Sequence, residues 1–185
     1  MSRVFVLARS GQVSALLFTL FALGGCMSID PNIYAGTKPE LRMEEYFDGK
    51  VTAWGIVQDR KGRVLRRFEV DMVGAWDGDA GTLHETFRYD DGEESLRLWR
   101  MKKESDTRYT GSADDVVGTA TGTRAGNALN WRYVLALEVR GRTWNISFDD
   151  WMYLLDDRTL VNRATMRKFG FRVGEVILFF RKDEA

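Results

Sequence analysis

Residues 64–76 read VLRRFEVDMVGAW, and their alternation decides the fold. Phe68, Val70, Met72 and Trp76 fall on one face of an extended chain, while Arg67, Glu69 and Asp71 fall on the other. A period of two is that of a strand with one buried face. The pattern recurs on both sides of this stretch. Leu83, Phe87 and Tyr89 alternate up to Asp90-Asp91-Gly92, which has the composition of a hairpin turn. Residues 96–101 follow as a further run. Trp131, Tyr133, Leu135, Leu137 and Val139 alternate with Asn130, Arg132 and Glu138. The chain turns at Arg140-Gly141, and Trp144, Ile146 and Phe148 continue the pattern. Asp156-Asp157 marks a turn before residues 160–169, and a final apolar run ends in Ile177, Leu178, Phe179 and Phe180.

About nine or ten strands are predicted between Val51 and Arg181, with no helix beyond a turn near Pro39–Tyr46. Short successive strands joined by tight turns make an all-β antiparallel meander. Closing the meander into a barrel of about eight to ten strands removes exposed edges, and an interior of that size can hold one small ligand. An open β-sandwich is the structural alternative.

At the N-terminus, Arg3 and Arg9 are the only charges ahead of an apolar run, VSALLFTLFAL (residues 13–23), which leads through Gly24-Gly25 to Cys26. This is the layout of a secretory signal. The run is too short to span a bilayer, which takes roughly 20 residues. The Leu-Gly-Gly-Cys run resembles the bacterial lipobox, which implies cleavage after residue 25 and lipidation of Cys26. Two or more acyl chains give stable anchoring. Met27 follows the cysteine where an aspartate would favour the inner membrane. The expected location is therefore the outer membrane, lipid-anchored and facing the periplasm, with the inner membrane as the alternative. The expected organisation is a removed signal peptide (1–25), a proline-bearing lipidated tether (26–44) and a barrel domain (45–185).

Composition narrows the function classes. Basic and acidic residues number 27 each, so there is no basic field for nucleic acid. Cys26 is the only cysteine and His84 the only histidine, which leaves no metal site of the usual ligand types, and none is expected. There is no nucleophile elbow and no phosphate-binding loop. No catalytic residue and no cofactor are therefore assigned, and the chain reads as a non-enzyme. Gly118, Ala120 and Gly122 place small groups on one strand face, where another element can approach closely.

Four charged residues fall on apparently apolar faces. Arg66 aligns with Val64, Phe68 and Val70, and Glu85 lies between Leu83 and Phe87. Asp150 aligns with Ile146, Phe148 and Met152, and Arg163 lies between Val161 and Thr165. Buried charges need partners. These four either pair as structural ions or orient the polar head of a ligand whose tail packs against aromatics such as Trp131 and Trp144. All six tryptophans also suit a wide barrel that must be filled.

Several runs together resemble a bacterial lipoprotein family, the domain of unknown function 3833. They are Asp59-Arg60-Lys61-Gly62, Arg66-Arg67-Phe68, Asp90-Asp91-Gly92-Glu93, GSADDVVG (111–118), GNALNW (126–131), DDWMY (149–153) and residues 162–174. The resemblance spans nearly the whole domain. It implies a secreted lipoprotein and assigns no catalytic residues. A more distant architectural likeness is to lipocalins and other calycins, some of which are outer-membrane lipoproteins that bind lipids. Their Gly-x-Trp signature is not matched, since Gly49 and Trp54 lie too far apart. The function implied is binding or carriage of a hydrophobic, acyl-chain-containing ligand by a membrane-anchored barrel. The alternatives are an envelope scaffold docking a protein partner and, third, an enzyme acting on lipids.

Overall fold

The predicted alternation becomes a closed barrel in a computed structural model that describes residues 29–139 and 141–183. The chain divides into Met1–Asp30 and Pro31–Ala185, and the barrel lies in the second unit. Cys26, the signal segment and Arg140 lie outside the described residues.

Ten strands run in chain order: β1 (Gly49–Asp59), β2 (Val64–Asp77), β3 (Ala80–Tyr89), β4 (Glu94–Ser105), β5 (Arg108–Ser112), β6 (Ala120–Ala125), β7 (Ala128–Val139), β8 (Arg142–Leu154), β9 (Thr159–Lys168) and β10 (Phe171–Lys182). Each pairs antiparallel with its sequence neighbours, and β1 closes on β10 from Val51↔Lys182 to Asp59↔Gly174. Closure gives both outer strands a partner, which is what alternating apolar strands require in water. The alternative of an open sandwich is thereby excluded.

The stretch 64–76 behaves as its pattern dictates. Phe68, Val70 and Met72 are buried, while Arg67 and Val73 on either side of them face out. The outward position of Val73 shows that one apolar residue does not define a face.

Strands β5 and β6 are short. Where they end, residues 113–119 complete the wall between β4 and β7. Asp115 O accepts the amide of Ala136 (2.9 Å), and the amide of Val117 donates to Val134 O (2.8 Å).

The two ends of the barrel are built differently. At one end the chain before β1 supplies a plug. A 3-10 turn, Pro31–Tyr34, is followed by a single helical turn, α1 (Met43–Tyr46). Leu41, Met43, Tyr46 and Phe47 are buried. Phe47 meets Phe180 edge to face, centroids 6.2 Å apart. The Phe47 carbonyl lies where a Cβ on Gly74 would stand, only 1.6 Å away, so this position of β2 has to be glycine. Polar groups complete the seal. Glu44 accepts from Lys103 (2.7 Å) and from the Tyr109 hydroxyl (2.6 Å), and Lys182 Nζ donates to the carbonyls of Glu45, Tyr46 and Asp48.

This corrects the expected tether boundary. From residue 31 onward the segment is docked rather than free. Tyr34 packs on Trp151 and Tyr153, and the Leu41 amide donates to Gly126 O (2.9 Å). Thr37 Oγ1 donates to Asn127 Oδ1 (2.8 Å). Prolines and small polar residues suggested a linker, but the buried Leu41 and Met43 anchor it.

The small-residue strip also finds its explanation at this end. A Cβ on Gly122 would lie 2.6 Å from the Trp131 ring, and one on Gly111 2.9 Å from it. These positions make room for the indole, which is buried and meets Trp99 edge to face at 5.7 Å. Gly118 does not belong to the strip, because it precedes β6.

Candidate ligand-binding cavity

Beyond Trp131 the interior is hollow. A cavity of about 660 Å³ extends from the Trp99–Trp131 layer to the opposite end of the barrel. Its walls are largely apolar, from Phe87 and Tyr89 on β3, Leu135 and Leu137 on β7, Met166 on β9 and Leu178 on β10. Its lining also includes Leu65, Glu93, Glu138 and Val139, which are exposed at the strand ends, so the cavity opens to solvent there. A volume of this size falls within the roughly 300–1,000 Å³ range of small-molecule sites.

Three polar groups break the apolar wall. The first is at the mouth. Arg66 lies over the Tyr89 ring (3.5 Å) and pairs with Asp91 (2.6 Å) and Glu93 (2.7 Å), while its Nε is buried with no partner. Stacking on an aromatic face while gripping carboxylates suits a guanidinium.

The second is in the middle of the wall. Arg97 Nη2 and Nε donate to Asp115 (2.7–3.1 Å), and Nη1 reaches Glu85 at 3.5 Å. Burial pushes the Glu85 carboxyl up, and Arg97 and Trp99 oppose that shift without cancelling it. Burial disfavours the Arg97 charge as well, but Glu85 and Asp115 outweigh it and hold the proton on.

The third is the deepest. Asp150 on β8 accepts the Tyr133 hydroxyl at Oδ2 (3.0 Å), and its Oδ1 is buried with no partner. Burial pushes this carboxyl up to about 8. At neutral pH it is therefore chiefly a neutral acid, which both donates and accepts. Asn162 on β9 adds another buried oxygen, Oδ1, without a partner, while its Nδ2 donates to Trp151 O at 3.4 Å.

Residues 20–182 match the model of the family described as Protein of unknown function (DUF3833). The chain belongs to this family. No curated protein matches it. Among solved structures it is similar to the S-type phycobiliprotein lyase CPES from Guillardia theta. The TM-score is 0.56 at 8% identity, over 78% of this chain and 94% of that one. At that identity the likeness speaks for the fold, a lipocalin-like barrel. It also overturns one expectation. A barrel of this shape carries the name of a lyase, so the missing motifs of other enzyme folds do not make a DUF3833 chain a non-enzyme.

The DUF3833 barrel brings together most, but not all, of the residues expected at the site. Arg66, Glu85, Asp150 and Trp131 line the cavity. Arg163 does not. It lies on the outer wall, its side chain 62% exposed, and pairs with Glu175 on the neighbouring strand at 2.9 Å. On β9 the inward positions are Leu160, Asn162 and Ala164, so the face through Val161 and Thr165 was the outer one. Trp144 does not line the cavity either. It joins a second apolar cluster with Ile146 and Phe148, and the Lys168 ammonium sits over its ring. The four charges therefore form no single cluster, since each has its own partner.

Arg97 and Asp115 escape a reading of the sequence. Around Arg97 both faces carry apolar groups, Leu96 and Leu98 on one and Trp99 and Met101 on the other, so alternation is silent. Asp115 sits in a loop, where no period exists to read.

Proposed function

We propose that this chain is a membrane-anchored lipoprotein whose barrel takes up a hydrophobic molecule with an acyl chain through its open end. The observation that carries the reading is the cavity of about 660 Å³, apolar-walled and open at one end, in a barrel that is otherwise filled. Lipocalin-like architecture supports it as an analogy of fold. The Leu-Gly-Gly-Cys run supports anchoring through Cys26, with the barrel facing the periplasm from the outer membrane.

Native mass spectrometry of the full-length protein extracted from membranes tests both parts. The covalent mass should match residues 26–185 plus acyl groups, and a further non-covalent lipid should dissociate on activation. Ala164 lines the cavity, and Ala164→Phe should abolish the non-covalent lipid while leaving the covalent mass unchanged. A barrel that carries no lipid and takes up no amphiphile overturns the binding reading. An unacylated mass, or unchanged membrane association of Cys26→Ser, overturns the anchoring.

A further inference from the structure

The charge inside the cavity identifies the kind of head group it admits. Its lining carries five carboxyl groups, on Glu85, Glu93, Asp115, Glu138 and Asp150, against two guanidiniums, on Arg66 and Arg97. Both guanidiniums are engaged, Arg97 by Asp115 and Glu85 and Arg66 by Asp91 and Glu93. A fatty-acid carboxylate entering here would meet the acids of Glu93, Asp115 and Glu138 and guanidiniums already paired with acids, of which only Arg66 Nε at the mouth keeps an unpaired N–H. Among the described residues, no group of three His, Cys, Asp or Glu side chains is placed to hold a metal ion that would reverse this.

The atoms that lack partners point to the complementary ligand. Asp150 Oδ1 and Asn162 Oδ1 are both buried and unpaired, in residues 6% and 1% exposed. An unpaired buried polar atom is destabilising, so a ligand group that satisfies it binds with that advantage. The two residues project from adjacent strands. Asp150 is opposite Ala164, and Asn162 is opposite Met152, which makes the pair diagonal neighbours on the inner face. Such neighbours lie roughly 7–8 Å apart at Cα, with Cβ atoms somewhat closer.

We propose that Asp150 and Asn162 receive an uncharged hydroxyl head, such as the diol of a monoacylglycerol, and that the cavity rejects the free fatty-acid anion. A hydroxyl donates to Asn162 Oδ1, which can only accept, and exchanges a hydrogen bond with Asp150 in either protonation state. A diol has a second hydroxyl with which to span the pair. The proton that burial holds on Asp150 lets it donate to a hydroxyl oxygen as well as accept. This inference rests on the proposed uptake of a hydrophobic ligand and adds the identity of its polar end.

The test uses full-length protein stripped of co-purified lipid. It is titrated at neutral pH with 1-monolauroylglycerol, laurate and dodecylammonium, following the tryptophan emission to which Trp99 and Trp131 contribute. The monoglyceride should bind at least roughly tenfold tighter than laurate, the scale of discrimination that pairing a buried polar group provides. Asn162→Leu should weaken the monoglyceride by about the same factor and leave laurate unchanged. Laurate binding as tightly as the monoglyceride would overturn the head-group assignment and leave hydrophobic uptake standing. Dodecylammonium binding tightest would also overturn it, in favour of a cationic head. If no probe binds, both this inference and the uptake on which it rests fail.

Discussion

The two ends of this barrel obey the same period-two pattern and reach opposite outcomes. At the plugged end, Leu41, Met43 and Phe47 enter from outside the meander, and Trp131 fills the space left by Gly111 and Gly122. At the open end the inward residues are just as apolar, yet among the described residues no segment crosses the axis and a cavity of about 660 Å³ remains. The polar groups divide in the same way. Glu44, Tyr109 and Lys103 satisfy one another under the plug, whereas Asp150 Oδ1, Asn162 Oδ1 and Arg66 Nε are left unpaired along the cavity. Alternation thus makes a wall, and a separate element decides whether the space within is core or site.

The largest expected effect lies with Asp150. Its carboxyl is raised from 3.8 to about 8 in the folded chain, chiefly by burial. Between those values the folded state holds a proton that the unfolded state has released. Stability therefore falls as pH rises from about 4 to about 8, and is recovered on acidification. Other carboxyls, Asp59, Asp90 and Asp91 among them, are held low by arginines and act in the opposite sense at lower pH. The informative quantity is therefore the difference between wild type and Asp150→Asn. Chemical denaturation across this range should show the variant gaining several kcal/mol on the wild type from pH 4 to pH 8. A flat difference would mean that Asp150 is ionised throughout and the open end more polar than its lining suggests.

A matched pair of truncations compares the packing of the two ends. Leu160 is fully buried at the plugged end, and Leu160→Ala should cost about 3 kcal/mol. Leu137 borders the cavity and already lacks neighbours on one side, so Leu137→Ala should cost about 1 kcal/mol. Equal losses in urea denaturation would show that the open end is packed in solution.

The smallest effect is expected on the outer wall. Arg163→Ala removes an exposed pair with Glu175, which Arg172 also holds at 2.9 Å. It should change stability by less than about 0.5 kcal/mol and leave ligand uptake unaltered, a result readable from melting curves and probe titration. Loss of uptake in this variant would return Arg163 to the site.

Legibility in the sequence followed the clarity of the local pattern. Arg66, Glu85 and Asp150 interrupt runs in which one face is plainly apolar, and all three line the cavity. Residues 160–166 carry Leu160 and Ala164 on one face and Val161 on the other, with Asn162 buried, so the pattern favours neither face and does not show that Arg163 points outward. Trp144 shares the inward face of Ile146 and Phe148 and the height of Leu137, but its ring packs on the second apolar cluster under the Lys168 ammonium, a contact that alternation does not report. Tyr133 reads simply as an aromatic in an apolar face. Its role as donor to Asp150 depends on the β7–β8 register, which pairs Trp131 with Asp150 and Tyr133 with Phe148.

The sequence by itself determined that this chain is a series of short antiparallel strands and, for most of them, which side chains turn inward. Both follow from the two-residue period of an extended backbone, which needs only near neighbours. The closure of β1 on β10, the docking of residues 31–47 as a plug, and the cavity with its unpaired oxygens were decided only by the tertiary structure. Each depends on groups far apart in the chain reaching, or failing to reach, across one interior, and no local period encodes that distance.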